Sequence, residues 1–374
     1  MNIGQKRFKH MNALFDDSST DAFRLNALQG VRDVLDLPRL HKLLPYDTYD
    51  EDTGFFYNDN TTGFVLLGNP LVGTSLAAQG PLAEFYRQKG SLTRGTAIQL
   101  LMCASPRIDP ILDQWVMSRM QGTYRNFAKA RADYFKQDIE TPIGNTNTVL
   151  RDYQLIISVT LPGHIKSPVD AEALKRTRKT LMECLKSIKL PTVSLNGHDF
   201  LEKVANLLNV AGGISPEKRF HQQNRPLKEQ IIGPDYDFTV MADHVAVCDD
   251  TYRYASFVPQ KIPDYWALPH MDRFLGEALS QGSSIPCPFF IHYGLFVAQG
   301  QGGEKVRCNA RREALENALR GRMQKWVPDV REDLDEANEV LAEVNKGEVF
   351  IQQSLSVTLM CKKSEFDGAT QRLK

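Results

Sequence analysis

Apolar and polar positions change most sharply within residues 43–70, LLPYDTYDEDTGFFYNDNTTGFVLLGNP. Two β-favouring runs, at 54–57 and 63–67, flank the turn-forming cluster Asn-Asp-Asn-Thr at 58–61, which predicts a hairpin. Prolines bracket the stretch, and proline lacks the N–H group that a continuing strand needs. Because side chains alternate along a strand, Phe55 and Tyr57 point one way and Phe56 the other. Aromatic residues on both faces indicate either a sandwiched strand or an exposed recognition patch.

The following pattern predicts buried or half-buried strands at 97–103 and 153–161. Asp109-Pro110 and Ser167-Pro168 are typical helix starts, with a capping side chain before a proline at the first helical position. We expect the first of these helices to present an apolar face and to continue toward Lys136. The apolar face comprises Ile111, Leu112, Trp115 and Met120, and Tyr124, Phe127 and Tyr134 extend the helix.

The last third of the chain predicts a second set of similar elements. A hairpin turned by Asp249-Asp250 is expected over residues 238–258, and an amphipathic helix around Tyr265 to Leu275. Strands are predicted at 289–297 and 349–361, with a helical pair between them that is broken at Pro328. The chain therefore repeats a strand, helix and strand order.

One pentapeptide supports an internal repeat, since ISVTL at 157–161 recurs as LSVTL at 355–359. A five-residue β-rich match also arises by chance, but both copies follow a buried strand and a helical stretch. We therefore predict that they occupy equivalent central strands of two related halves. The fold class is α+β, with mixed or antiparallel sheets and helices packed on one face.

These patterns divide the 374 residues into four predicted segments. They are a polar leader at 1–40, a first α+β half at 41–210, a linker or excursion at 211–236, and a second half at 237–374. The length is compatible with two or three domain-sized units, at about 150 residues each.

The overall charge excludes a global attraction to nucleic acid or anionic membranes, because 45 basic residues balance 45 acidic ones. Six cysteines without a CxxC pair indicate reduced, buried thiols. The N-terminus lacks the apolar segment of a secretory signal. The longest apolar run, at 286–298, is shorter than the ~20 residues that span a bilayer. We expect a cytoplasmic protein.

Four segments are candidates for catalytic or binding sites. The segment GQGGEK at 300–305 lacks the spacing and the Ser/Thr of a phosphate-binding loop, so a flexible loop is favoured there. His198-Asp199 and Asp243-His244 are too few ligands for a metal site. Cys287 and His292 lie about 16 Å apart along an extended strand, too far for direct proton transfer, so Cys287 is expected to be a buried thiol.

The helical pair after residue 303 has opposite charges. Residues 304–325 contain seven basic and three acidic side chains, and residues 329–348 contain eight acidic and two basic ones. Two antiparallel helices that pair across a solvated seam explain this pattern, at ~0–1 kcal/mol per exposed pair. A surface that selects a protein partner by charge is the alternative.

An ordered set of motifs resembles the N-terminal region of the TraC-like ATPases of F-type conjugative type IV secretion. It comprises the hairpin, TVLRDYQ at 148–154, CPFF at 287–290 and KWVP at 325–328, and it spans residues 37–361. The resemblance implies docking on inner-membrane secretion components at the cytoplasmic face of the inner membrane. It also implies a role in pilus assembly and DNA transfer, and an ATP- and Mg-dependent hexameric motor in a further domain.

The resemblance assigns no catalytic, cofactor-binding or metal-binding residue within this chain, which we expect to end before that motor. The resemblance does not identify docking residues in this chain. The aromatic pattern of the hairpin suggests Phe56 as a candidate. Two alternatives stay open. One is a stand-alone cytosolic phosphoesterase that uses the His/Asp pairs, and the other is nucleic-acid binding through the basic segment 218–228, which neutrality disfavours.

Overall fold

The computed structural model of the chain describes residues 40–71, 78–87, 95–119, 121–137, 149–165, 167–208, 221–232, 236, 238–260, 285–297, 301–320, 330–346 and 351–373. Residues 1–39 of the predicted leader and the helix predicted around Tyr265 to Leu275 lie outside this part. Within it, no helix combines the length and the apolar character needed to cross a membrane.

The described residues form eleven strands in one sheet. The strands are β1 (Tyr46–Asp50), β2 (Phe55–Asn58), β3 (Thr61–Gly68), β4 (Ala97–Ser105), β5 (Asp152–Pro162), β6 (Thr192–Ser194), β7 (Phe238–Val240), β8 (Val245–Val247), β9 (Tyr252–Phe257), β10 (Phe289–Val297) and β11 (Ile351–Lys362). The helices are α1 (Leu40–Leu43), α2 (Gln79–Arg87), α3 (Asp109–Met117), α4 (Thr123–Gln137), α5 (Pro168–Ser187), α6 (Gly197–Leu208), α7 (Leu227–Ile231), α8 (Gln301–Arg320), α9 (Val330–Lys346) and α10 (Phe366–Leu373). A 3₁₀ turn (Lys363–Glu365) precedes α10.

The sheet has the order β1-β2-β3-β5-β4-β10-β11-β9-β8-β7, with β6 paired to β3, and its pairings are antiparallel. From either edge the order is the same: three consecutive strands, then the fifth, then the fourth. The two fourth strands, β4 and β10, meet antiparallel at the centre. A local two-fold axis between them therefore relates the halves.

The register places the two-fold axis between Leu100 and Tyr293, and it confirms the repeat predicted from the pentapeptide. Leu100 of β4 pairs with Tyr293 of β10. On its other side Leu100 pairs with Ile157, and Tyr293 pairs with Leu355. Ile157 and Leu355 begin the two copies of the pentapeptide, so the copies occupy equivalent interior strands. The boundaries at 41–210 and 237–374 stay predictions.

Helices cover both faces of the first half, because its strands are apolar on both sides. On one face, the cluster around Phe55, Leu66 and Ile157 is closed by α5 through Leu174, Leu181 and Leu185. On the other, the cluster around Phe56, Val65 and Ile156 is closed by α6 through Phe200, Leu201 and Ala205. The α+β class is confirmed, but the prediction of helices on one face only is wrong for this half. In the second half, α10 covers one face through Phe366 and Ala369.

The β2–β3 hairpin forms where the sequence predicts it. The Asn58 side-chain amide donates to the Thr61 hydroxyl at 2.9 Å across the turn. Gly63 is required because β5 approaches closely: a Cβ there would clash with the carbonyl oxygen of Val159 and lie 2.9 Å from Thr160 Cγ2. Arg178 of α5 donates to the Gly54 carbonyl at 3.0 Å, which ties the helix to the hairpin.

Two other predicted elements are divided by turns. The helix expected from Asp109 toward Lys136 is two helices, α3 and α4, because Gly122 has a φ of 95°, outside the range of a right-handed helix. The strand expected before Asp249 is also two short strands, β7 and β8. The turn at Asp249-Asp250 is confirmed, and both residues have the positive φ values, 54° and 61°, that aspartate tolerates better than most residues.

Candidate interaction surface

The glycine-rich segment near residue 303 belongs to a helix. Residues 301–305 form the start of α8, and Gly300 lies outside the described residues. The expectation of a flexible loop is therefore wrong for 301–305. Glycine disfavours a helix by only ~1 kcal/mol relative to alanine, so these glycines do not prevent one.

The His/Asp pairs lie on separate elements. His198 and Asp199 lie in the first turn of α6, where the Asp199 N–H donates to Asn196 Oδ1 at 2.8 Å. His244 lies against Phe366, with ring centroids 5.0 Å apart, and its Nδ1 is 2.7 Å from Asp243 Oδ1. That hydrogen bond lowers the pKa of Asp243. Among the described residues, no three His, Cys, Asp or Glu side chains are grouped to hold a metal ion.

The hairpin aromatics are part of the core. Phe55, Phe56 and Phe64 are 0%, 3% and 1% exposed, which confirms the sandwiched-strand interpretation. The exposed-patch interpretation, and with it docking through Phe56, is wrong. The physical reason is that both faces of β2 are covered, one by α5 and the other by α6.

The α3–α4 pair is a helical hairpin with a thin buried seam. Ala128 and Ala132 of α4 are 5% and 2% exposed, and they lie on one side of the helix because they are four residues apart. Lys136 closes the open end of the hairpin, with its Nζ 3.2 Å from Asp109 Oδ1 and 3.0 Å from Asp113 Oδ1. These contacts raise the pKa of Lys136.

The outer side of α4 carries large apolar side chains. Tyr124, Phe127 and Tyr134 are 77%, 70% and 54% exposed, and the spacing of these residues and Arg131 places all four on one side of the helix. We call these four residues the aromatic face. The guanidinium of Arg131 lies 5.5 Å from the ring centroid of Phe135. Aromatic side chains with a polar tip bind protein partners well, because they offer large apolar area and a hydrogen bond.

The sequence pattern indicates that these aromatic residues extend the helix, but it does not identify them as exposed. The two small residues at 128 and 132 take the buried side because α4 packs closely against α3. The four-residue spacing of these two alanines is the sequence feature that could have identified the buried side of α4. With Ile111 and Met117, the hairpin holds five of the thirteen exposed large hydrophobic side chains in the described part of the chain, so the exposure is concentrated there.

The α8–α9 pair is the charged helical hairpin that the sequence predicts. Its seam is lined by Val330, Ala337 and Leu341, all buried. Arg311 Nη2 lies 3.5 Å from Asp333 Oδ1 and 3.7 Å from Glu336 Oε2. The predicted pairing across a solvated seam is thus confirmed at Arg311. Exposed Glu332, Asp335 and Glu339 leave an acidic outer side on α9.

The two helical hairpins leave the sheet at opposite ends. The α3–α4 hairpin follows the C-terminal end of β4, and the α8–α9 hairpin follows the C-terminal end of β10. Because β4 and β10 are antiparallel neighbours, these ends point in opposite directions. The local two-fold relates the hairpins, but one presents aromatic residues and the other presents carboxylates.

A cavity of about 160 Å³ lies between β4, β5 and α6. Arg107 Nη1 donates to Asn206 Oδ1 at its wall, at 2.5 Å. Burial raises the pKa of Asp152, opposed by its hydrogen bond with Gln154 and by the charge of Lys203. Burial also raises the pKa of Cys103 to about 12, so this thiol is protonated at neutral pH. This cavity is smaller than the ~300–1,000 Å³ of typical small-molecule sites, so it is a poor candidate for one.

Comparison with known proteins identifies one family. A family model described as TraC protein matches residues 40–374. The chain is also similar to Protein TraC of Escherichia coli (strain K12), with 26% identity over 344 residues, which is 88% of this chain and 39% of that protein. The chain thus spans about two-fifths of the length of the curated relative that it matches.

Proposed function

The chain belongs to the TraC protein family of F-type conjugation, and from that membership we propose that it is the N-terminal docking and assembly region of a TraC-like ATPase. In this role it supports conjugative pilus assembly and DNA transfer. The order of the motifs between residues 37 and 361 supports the N-terminal assignment. The motor that binds ATP and Mg and forms hexamers belongs, in this proposal, to a further part of the protein.

The observation that carries the docking role is the aromatic face of α4. Three large aromatic side chains more than half exposed to solvent cost free energy in the isolated chain and regain it on desolvation. Fully burying one such side chain contributes ~1.5–3 kcal/mol, and aromatic and Arg side chains dominate interface hot spots. The aromatic face contains three aromatic residues and one arginine, which is the composition of such a hot spot.

The partners in this proposal are integral inner-membrane components of the secretion machine, and the chain is peripheral on the cytoplasmic face of that membrane. Charge neutrality supports a protein contact in preference to a general attraction to anionic lipid. The opposite placement of the two helical hairpins also supports an assembly role, since the chain then presents two chemically different ends.

The test replaces Phe127 and Tyr134 together with serine. Both side chains are more than half exposed, so the thermal unfolding midpoint should stay close to that of the wild type. Capture of the detergent-solubilised inner-membrane complex should weaken about 30-fold or more, which corresponds to ~2 kcal/mol, the loss of at least one hot spot.

The matched control is Val240→Ser on β7, where the side chain is 68% exposed and lies away from α4. This variant should capture the complex as well as the wild type. Undiminished capture by the Phe127 and Tyr134 variant would reject docking through the aromatic face. Equal weakening in both variants would show that the assay reports general surface apolarity instead.

A further inference from the structure

Two of the six cysteines form a buried thiol pair. The sulfur atoms of Cys287 and Cys361 are 3.0 Å apart, and both residues are 0% exposed. By comparison, the Cys103 thiol is directed at the carbonyl oxygen of Leu101 and the Cys184 thiol at that of Pro81. Cys287 and Cys361 thus contact each other's sulfur atoms, whereas Cys103 and Cys184 contact backbone oxygen atoms.

The strand register produces this contact. Phe289 of β10 pairs with Leu359 of β11, so the same register continued by two residues sets Cys287 opposite Cys361. Between the Phe289–Leu359 pair and the two cysteines, the Met360 N–H donates to the Pro288 carbonyl at 2.8 Å. Pro288 and Met360 therefore form a hydrogen-bonded pair of the ladder. Cys287 and Cys361 form the adjacent non-hydrogen-bonded pair.

Non-hydrogen-bonded positions are where antiparallel strands bring side chains closest, with Cα atoms ~4.5 Å apart. This separation lies within the ~4.4–6.8 Å range that a disulfide requires. The backbone therefore needs little movement to bring the two sulfur atoms into bonding distance.

The two thiols are chemically unequal. Cys361 donates its S–H to Cys287 Sγ, and this lowers the pKa of Cys287 and raises that of Cys361. The Arg151 guanidinium, which donates to the Pro286 carbonyl at 3.1 Å, also lowers the pKa of Cys287. The thiolate is the nucleophile in thiol–disulfide exchange, so Cys287 is suited to attack first and Cys361 to attack second.

We propose that Cys287 and Cys361 are a dithiol modification site, which a small-molecule disulfide oxidises to a disulfide between β10 and β11. In the first step the Cys287 thiolate attacks one sulfur of the small disulfide. A mixed disulfide forms, and one small thiol leaves. In the second step Cys361 loses its proton and attacks Cys287 Sγ, which releases the second small thiol. Two cysteine thiols and one small disulfide give one protein disulfide and two small thiols.

The bond would lock β10 to β11 beside the central β4–β10 pairing. Arg151, just before β5, already contacts the segment that enters β10. Oxidation would therefore fix the two central strands of the second half close to the base of the α3–α4 hairpin. This inference is independent of the docking proposal, because it concerns a different site and a different reaction.

The test uses cystamine, a small disulfide, in two arms. In one arm the folded chain is incubated with cystamine. In the other, the chain is unfolded in urea and refolded in a mixture of cystamine and cysteamine, which removes the barrier of burial. Remaining thiols are then alkylated with N-ethylmaleimide under denaturing conditions, and the chain is analysed by intact mass and peptide mapping. In the refolding arm we expect the loss of two alkylatable thiols and a cross-link between the Cys287 and Cys361 peptides. In the folded arm the same products should form more slowly.

Two variants separate the site from its surroundings. Cys361→Ser should stop at a mixed disulfide on Cys287, whereas Cys103→Ser should still form the internal disulfide. Alkylatable thiols at both positions in both arms of the wild-type experiment would overturn the proposal. A cross-link from either cysteine to any other would do the same.

Discussion

Replacing Phe56 with alanine tests the assignment of the β2–β3 hairpin to the core. Phe56 is 3% exposed, and its ring centroid lies 4.7 Å from that of Tyr49 and 4.6 Å from that of Phe200. Removing a buried phenylalanine ring costs ~3–5 kcal/mol, which includes the cavity that remains. Each aromatic pair adds ~0.5–1.5 kcal/mol to area burial. We therefore expect a loss near the middle of that range, ~4 kcal/mol of unfolding free energy.

The assay is urea unfolding followed by circular dichroism, for the wild type and for the Phe56→Ala variant. Phe127→Ala is the matched control, since it removes the same ring from a side chain that is 70% exposed. That variant should stay within ~0.5 kcal/mol of the wild type. A loss below ~1 kcal/mol at Phe56, or similar losses in both variants, would refute the assignment of Phe56 to the core.

Three further predictions concern packing, pH and nucleotide. The Gly63→Ala variant should lose ~1–3 kcal/mol of unfolding free energy in urea, because the added Cβ meets the backbone of Val159. The control is Gly80→Ala, which should not destabilise the chain, since no heavy atom lies within 4 Å of the added Cβ. Equal losses in the two variants would contradict the steric explanation. The hydrogen bond from Arg253 lowers the pKa of Asp250, so its stabilisation is complete above the unfolded pKa of ~3.9 and is lost as pH falls through the folded pKa. The stability difference between the wild type and Asp250→Asn should therefore shrink on acidification from pH 7, and a difference that grows would be the wrong sign. Isothermal calorimetry with Mg-ATP should detect no tight binding to this chain, because the sequence supplies no phosphate-binding loop; micromolar binding would contradict the proposed location of the motor.

Much of the fold follows from local sequence. The alternation at 153–161 predicts β5, and the Ser167-Pro168 start predicts α5, where the Ser167 side chain accepts from the Asp170 N–H at 3.2 Å. The pentapeptide also predicts the internal repeat. These features are local because a strand period, a helix cap or a turn depends on residues within a few positions of one another.

The candidate site depended on contacts between distant residues. Sequence periodicity places Phe55 and Phe56 on opposite faces of a strand, but only the packing of α5 and α6 shows that both faces are covered. On α4, periodicity separates the aromatic side from the alanine side, yet it does not say which side meets α3. Small residues take the buried side there because the two helices lie close together.

The contact between the Cys287 and Cys361 thiols also depends on residues that are distant in the sequence. Cys287 and Cys361 are 74 residues apart in the chain, and no local pattern joins them. Their contact follows from the β10–β11 register, which the whole sheet fixes through side-chain burial along both strands. The sequence determined the elements and their repetition, since these depend on the local preferences of the backbone. Which faces are buried, and which residues meet, was decided by tertiary structure, because burial is a property of surfaces that distant segments share.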